Sequence, residues 1–186
     1  MVARKAGTIA GLPLAAACFR KLAPEIEIVP VIRDGATVEA KTVLMHINGD
    51  ARAVLSGERV ALNFVQHLSG IATATAAYVR AAGRTKTRIC CTRKTTPGLR
   101  ALEKYAVRCG GGVNHRMGLG DAALIKDNHV VAAGGITAAV EARRAHSPRG
   151  PLEGEGGTLE QVRAALAAGG QLVLLDNIDL DGTVAA

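Results

Sequence analysis

The sequence predicts an α/β protein in which a small N-terminal α+β domain is followed by parallel βα units. Three observations carry that prediction. Short apolar runs alternate with turn signals up to about Gly57, a long helical periodicity follows, and from Arg88 onward β-type runs alternate with helical patterns in the order of βα units. The 186 residues are 48% hydrophobic and 21% charged, values that exclude a disordered tail, a coiled coil and a disulfide-stapled miniprotein.

In the first region the apolar runs Ile26 to Ile32 and Val43 to Ile47 are separated by Asp34-Gly35 and followed by Asn48-Gly49-Asp50, which read as turns. Val60, Phe64, Leu68, Ile71, Thr75 and Tyr78 then recur at spacings of three and four, and Gly83 closes a helix expected to join two domains. Four strands are expected beyond it: Arg88 to Thr92, Ala122 to Lys126, Leu152 to Gly156 and Gln171 to Asp176. One intervening helix opens at Thr96-Pro97 and ends before Gly110. A second runs from Ile136 to His146 and stops at Ser147-Pro148. A third begins at Thr158, with Thr158-x-x-Gln161 as a capping box, and ends at Gly169-Gly170. Four strands do not close a barrel, so the sequence reads either as an incomplete barrel or as a doubly wound open sheet.

The four cysteines, Cys18, Cys90, Cys91 and Cys109, hold no C-x-x-C spacing. Reduced thiols and a cytoplasmic location are therefore expected rather than a zinc framework or a redox dithiol. Met1 to Phe19 imitates a signal peptide, but Gly7, Gly11 and Pro13 interrupt it and its apolar run is too short to span a bilayer. The formal charge is +7 while aromatic residues are only 2%. A stacking platform for single-stranded nucleic acid is thus disfavoured, and anionic small substrates are the natural partners.

Candidate chemistry lies at strand ends. Arg93-Lys94 follows the first expected strand, Lys126 ends the second, Glu155 lies in the third and Asp176 ends the fourth. In parallel βα architectures that edge of the sheet binds ligands, so these groups are expected to converge. His115-Arg116 adds two more polar groups after Gly110-Gly111-Gly112, a run read as ending a helix rather than cradling phosphate. Arg59 is placed in the first turn of the long helix, where a positive charge opposes the macrodipole. His67 on the same helix reads as a packed or surface histidine. The cations suit a dianion plus a phosphate. Glu155 and Asp176 suit magnesium held through water, or a sugar that becomes oxocarbenium-like.

At these residues the sequence resembles the quinolinate phosphoribosyltransferases, the decarboxylating nicotinate-nucleotide pyrophosphorylases. The resemblance rests on ERVALNFVQHLSGIATAT (Glu58 to Thr75), TRKTTPGLR (Thr92 to Arg100), ALEKYAVRCGGGVNHR (Ala101 to Arg116), LIKDNH (Leu124 to His129) and LLDN (Leu174 to Asn177), with Gly7 to Leu22 similar to the opening of the family's first domain. It implies an N-terminal α+β domain at 1–69 and an incomplete α/β barrel at 70–186, lacking the family's first segment and the later strands with their glycine-rich phosphate loops. It implies transfer of phosphoribose from phosphoribosyl pyrophosphate to quinolinate with decarboxylation, assisted by magnesium. By the same resemblance Arg93, His115, Arg116 and Lys126 grip the quinolinate carboxylates, Lys94 and Lys126 face the donor, and Glu155 and Asp176 sit by ribose and metal. Arg59 is lent to a neighbouring subunit, so a homodimer is the expected minimal unit. The chain departs from the family at Glu153-Gly154-Glu155-Gly156-Gly157, where β-branched residues usually flank the glutamate.

Three other readings compete. A related phosphoribosyltransferase-like protein of molybdenum-transport operons shares the T-R-K segment, but LIKDNH and His115-Arg116 favour the quinolinate enzyme. A non-catalytic remnant would keep the fold without the chemistry. Nucleic-acid binding would need a contiguous basic face, whereas the cations fall at strand ends; neither nucleic acid nor membrane is expected as a partner.

Overall fold

The first helix of the chain takes its N-terminal cap from a distant carboxylate. In a computed structural model, described over residues 1–146 and 151–186, α1 (Leu12–Leu22) starts at Gly11, which has no side chain to cap with and adopts φ 100°. Asp34 supplies the cap instead: its Oδ2 accepts from Gly11 N at 2.7 Å and its Oδ1 from Leu12 N at 3.1 Å. The buried stripe Leu12, Ala15, Ala16 and Phe19 then faces the long helix α2 (Ala51–Ala82).

Around these helices lie two antiparallel pairs. β1 (Gly7–Thr8) pairs with β3 (Thr37–Val38), and β2 (Glu27–Pro30) pairs with β4 (Met45–Asn48). Val38 and Met45 of these strands, with Ile9, Ile26 and Leu44 immediately beside them, share a core with Phe19, Ala61 and Val65.

α2 begins earlier than its periodicity predicts. Asp50, read as part of a turn, is its N-cap and accepts from Ala53 N at 2.9 Å, while Gly83 is the C-cap as expected. The buried stripe is also rotated: Gly57, Ala61, Val65, Leu68, Ala72 and Thr75 face inward, whereas Val60 and Tyr78 are exposed. Small residues occupy the stripe because the neighbours come close. A Cβ on Gly57 would lie 3.0 Å from the Phe19 ring and 3.1 Å from Leu22.

α3 (Arg100–Cys109) also packs on α2. Its expected start at Thr96 is displaced: Gly98 adopts φ 77° and Leu99 N donates to Thr96 O, so 96–99 is a turn and Leu99 is the N-cap. Gly110 caps the helix as expected, and a Cβ there would collide with Ala72 O and Thr75 of α2. The triple glycine therefore ends a helix against a close neighbour. All of these elements belong to one compact unit, Met1–Met117.

A second compact unit, Gly118–Ala186, contains a three-stranded parallel sheet in the order β5 (Ala123–Ile125), β6 (Leu152–Gly156), β7 (Leu172–Leu175). Between the strands run α4 (Asp127–Ala133), α5 (Ile136–His146) and α6 (Leu159–Ala167), and α7 (Leu180–Ala185) follows. The strands lie side by side in chain order, a succession common to a barrel wall and to one half of a doubly wound sheet. α4, from the segment KDNH, went unread in the sequence. The Ser147-Pro148 stop lies outside the described residues.

The first expected strand, Arg88 to Thr92, is not a strand. It forms a single parallel bridge, Cys90 to Val113, with Val113 N donating to Ile89 O at 2.8 Å and Cys91 N to Val113 O at 3.1 Å. Pairing stops there because Thr92 Oγ1 accepts from Lys94 N and turns the chain, while on the other side Val113 directly follows the glycine run.

Candidate functional site

The site residues fall into two groups, one in each compact unit. In the first unit, Arg93 and Lys94 sit on the turn after the bridge, and His115 and Arg116 on the segment after Val113. The two segments are held together around Cys91. His115 N donates to Cys91 Sγ at 3.3 Å, and the Lys104 ammonium donates to Cys91 Sγ at 2.9 Å and to His115 O at 3.0 Å. Arg100, one turn earlier on α3, donates to Thr95 Oγ1 at 3.0 Å, to Met117 O at 3.3 Å and to Arg93 O at 3.5 Å. Arg93 Nε is buried with no hydrogen-bond partner among the described residues. Such an orphaned donor costs roughly 1–3 kcal/mol, and a ligand carboxylate would remove that penalty.

Behind these segments, Glu103 of α3 braces the turn. Its Oε2 accepts from Thr96 N at 3.2 Å and its Oε1 meets His67 Nε2 at 2.9 Å. Burial pushes its carboxyl up, but the Thr96 and His67 hydrogen bonds outweigh burial and leave it below the usual carboxylate range. His67 is thus a brace from α2, partly exposed, as a packed or surface histidine would be.

Arg59 is exposed on α2 and borders an open cleft of about 1480 Å³ with Glu58, Gln66, Ser69 and Thr73. It is the ninth residue of the helix, not a member of the first turn. The expected conflict with the macrodipole disappears, since that effect fades beyond the first turn.

In the second unit, Lys126, Glu155 and Asp176 stand at the ends of neighbouring strands. Lys126 N-caps α4, where His129 Nδ1 accepts from Lys126 N at 3.0 Å. Its Nζ lies 2.8 Å from Glu155 Oε2, pairing the lysine with a carboxylate whose side chain is only 11% exposed. The Glu155 hydrogen bond raises the Lys126 pKa, burial opposes it, and the charges of Glu155, Asp176 and Asp127 add to it. Glu155 and Asp176 both line a cavity of about 480 Å³ with Asp127, Gly157, Gln161 and Asn177.

The glycines flanking Glu155 have a packing role. A Cβ on Gly154 would lie 3.1 Å from Ala165 Cβ, and one on Gly156 would lie 3.1 Å from Val162 Cγ2. They let α6 lie directly on β6. The Thr158 cap is as expected, its Oγ1 accepting from Gln161 N, but the Gln161 side chain answers to Gly157 N at 2.8 Å instead of Thr158 N. That bond fixes the strand end beside Glu155.

The sequence reading missed Arg100, Lys104 and Cys91. The available signal was two cations at i and i+4, Arg100 and Lys104, on one helix. Among the described residues no cluster of three metal-ligating side chains occurs, and no helix is long and apolar enough to cross a membrane.

Comparison with known proteins sets this geometry in context. The model of the quinolinate phosphoribosyl transferase N-terminal domain matches residues 1–69 and that of the C-terminal domain residues 71–186. A Synechocystis protein named probable nicotinate-nucleotide pyrophosphorylase (carboxylating) is 50% identical over 182 residues, covering 97% of this chain and 61% of its own length. The Mycobacterium leprae protein named nicotinate-nucleotide pyrophosphorylase (carboxylating) is 49% identical, covering 95% of this chain and 63% of itself. The crystal structure of NadC from Streptococcus pyogenes superposes with a TM-score of 0.92 at 43% identity, over 97% of this chain and 64% of that one. The chain thus spans about three fifths of the length of these curated relatives.

Proposed function

Because the chain belongs to the quinolinate phosphoribosyl transferase family, we propose that it carries the pentosyltransferase chemistry named for its relatives. Phosphoribose passes from phosphoribosyl pyrophosphate to the ring nitrogen of quinolinate, one carboxylate leaves as carbon dioxide, and nicotinate mononucleotide and pyrophosphate are the products, on the route to NAD. The observation that supports this most directly is the buried, unpaired Arg93 Nε, on a turn joined to the His115-Arg116 segment.

Arg93, His115, Arg116 and Lys126 are assigned to the two adjacent carboxylates of quinolinate, which guanidinium groups bind by forked hydrogen bonds. Lys94 and Lys126 are assigned to the phosphoribosyl donor, and Glu155 and Asp176 to the ribose, where they favour the positive charge that develops as pyrophosphate leaves. Attack by the ring nitrogen needs orientation rather than a general base, because that lone pair carries no proton. The quaternised ring nitrogen then stabilises the electron pair left on the adjacent ring carbon as carbon dioxide departs, and that carbon takes a proton from solvent to complete nicotinate mononucleotide.

Magnesium is part of the proposal. Glu155 and Asp176 offer two carboxylates on one cavity, a donor set of the size magnesium accepts while keeping most of its waters. When bound, the ion neutralises the pyrophosphate leaving group. Glu155 is already paired with Lys126, so Asp176 is the more available ligand.

A homodimer is proposed, with Arg59 of each subunit completing the neighbour's site; its exposure on α2 supports that role. The functional division is taken at 1–69 and 70–186, with α2 crossing it. A cytoplasmic location is inferred from the four cysteines, which form no disulfide among the described residues.

The assignment is tested by titrating quinolinate calorimetrically into the 186-residue chain and into Lys126→Ala. Loss of binding in the variant, with the parent binding, is the expected result. Undiminished binding in Lys126→Ala would sink the assignment.

A further inference from the structure

Lys104 is a buried ammonium that the proposed chemistry does not use. Only 1% of it is exposed, among the lowest values for any large side chain in the chain. Burying an ammonium is strongly unfavourable unless its donors are matched, and an aliphatic residue would fill the same place on α3 without that penalty. What the lysine adds is its two contacts, Cys91 Sγ at 2.9 Å and His115 O at 3.0 Å. They join the end of the segment that carries Arg93 and Lys94 to the start of the segment that carries His115 and Arg116. Arg100 lies one turn away on the same face and makes the same kind of link, to Thr95 Oγ1 and Arg93 O on one segment and to Met117 O on the other.

We propose that Lys104, seconded by Arg100, is a positioning residue that fixes the spacing of the two cation-bearing segments and so selects a ligand with two adjacent carboxylates. This rests on the reading that Arg93, His115 and Arg116 bind quinolinate. A salt-bridge partner would serve stability alone. Lys104 instead binds one thiol and one backbone carbonyl, groups whose positions set the segments' separation. The two rigid anchors on one helix give the preorganisation that forked recognition of a dicarboxylate requires, since a misplacement of about 1 Å at such a site costs on the order of a hundredfold.

The test compares the parent chain with Lys104→Met, which keeps the stem but removes the ammonium, and with Lys104→Arg, which restores donors. Calorimetric titration should show quinolinate binding weakened by about tenfold or more in Lys104→Met and largely recovered in Lys104→Arg. Amide hydrogen exchange should accelerate at residues 91–95 and 113–117 in Lys104→Met and stay unchanged along α2. Parent-like affinity in Lys104→Met overturns the proposal, as does parent-like exchange in those two segments. If Lys104→Met does not fold, Cys91→Ala removes one of the two contacts and should weaken quinolinate binding several-fold; unchanged affinity there would count against the proposal equally. A parent chain that binds no quinolinate refutes the dicarboxylate reading and the selectivity built on it, while the exchange pattern still decides whether Lys104 sets the segments' spacing.

Discussion

Glu103 shows how one buried carboxylate governs acid stability in this fold. Its hydrogen bonds from Thr96 N and His67 hold its pKa below the ordinary range against the opposing effect of burial. A carboxyl whose folded pKa is depressed contributes stability that is present above its unfolded pKa and is lost as pH falls through the folded value. Glu103→Gln should therefore melt lower than the parent near about pH 7, and the gap should narrow as pH falls from there through the parent's lowered folded pKa. Thermal melts across that range check this, and a gap that stays constant would contradict it. Lys126 titrates with the opposite sign. Its pKa is raised mainly by Glu155, so the lysine's own contribution to stability is present below its unfolded pKa and is lost as alkaline pH rises through the folded one. At the residue scale the sequence disclosed the candidate cations but not the residues that support them. Arg93, Lys94 and Lys126 stand out at strand ends, whereas Lys104 and Arg100 look like solvated helix residues until the turn at Cys91 is placed over them.

Helix and strand supports are set by close approaches that periodicity does not record. α2 buries Gly57, Ala61 and Ala72 beside Val65 and Leu68 and leaves Val60 and Tyr78 exposed, because close contact with α1 and α3 calls for small side chains at several points of the stripe. A search for large apolar residues at helical spacing finds the helix and misplaces its face. The same logic explains the glycines around Glu155. Gly156→Ala is expected to push Val162 away, since the new Cβ would lie 3.1 Å from its Cγ2 and 3.2 Å from its backbone nitrogen. A loss of about 1–3 kcal/mol should appear in denaturant unfolding, and a neutral result would mean α6 can move outward freely. Asp34 offers a second check. It caps α1 through Gly11 N and Leu12 N and accepts from Tyr105 Oη at 2.8 Å. Asp34→Ala should cost about 1–2 kcal/mol, because no local side chain can replace the cap. β6 has the expected bounds, and α5 runs over the expected Ile136–His146. Arg88 to Thr92 was misread because an apolar run predicts a strand only where a partner of equal length exists, and Val113 offers a single residue.

At the scale of the molecule, the family was legible because its motifs keep residue type and order: T-R-K at 92–94, H-R at 115–116, L-I-K-D-N-H at 124–129 and L-D-N at 175–177. The chain-order succession of β5, β6 and β7 likewise follows from the βα rhythm. Arg59 could not be judged from its place in the sequence, since the helix starts at Ala51, nine residues before the first periodic residue Val60, and its first-turn assignment followed from that error. The central claim is that the chain holds a site for two adjacent carboxylates. As the chain lacks Trp, the direct test is thermal unfolding by circular dichroism with quinolinate, with nicotinate as the single-carboxylate control. At a quinolinate concentration about a hundred times its dissociation constant, stabilisation of about 2.7 kcal/mol should raise the midpoint by roughly 5–10 °C, while nicotinate leaves it near the unliganded value. Equal shifts with the two ligands, or none with either, would contradict the account.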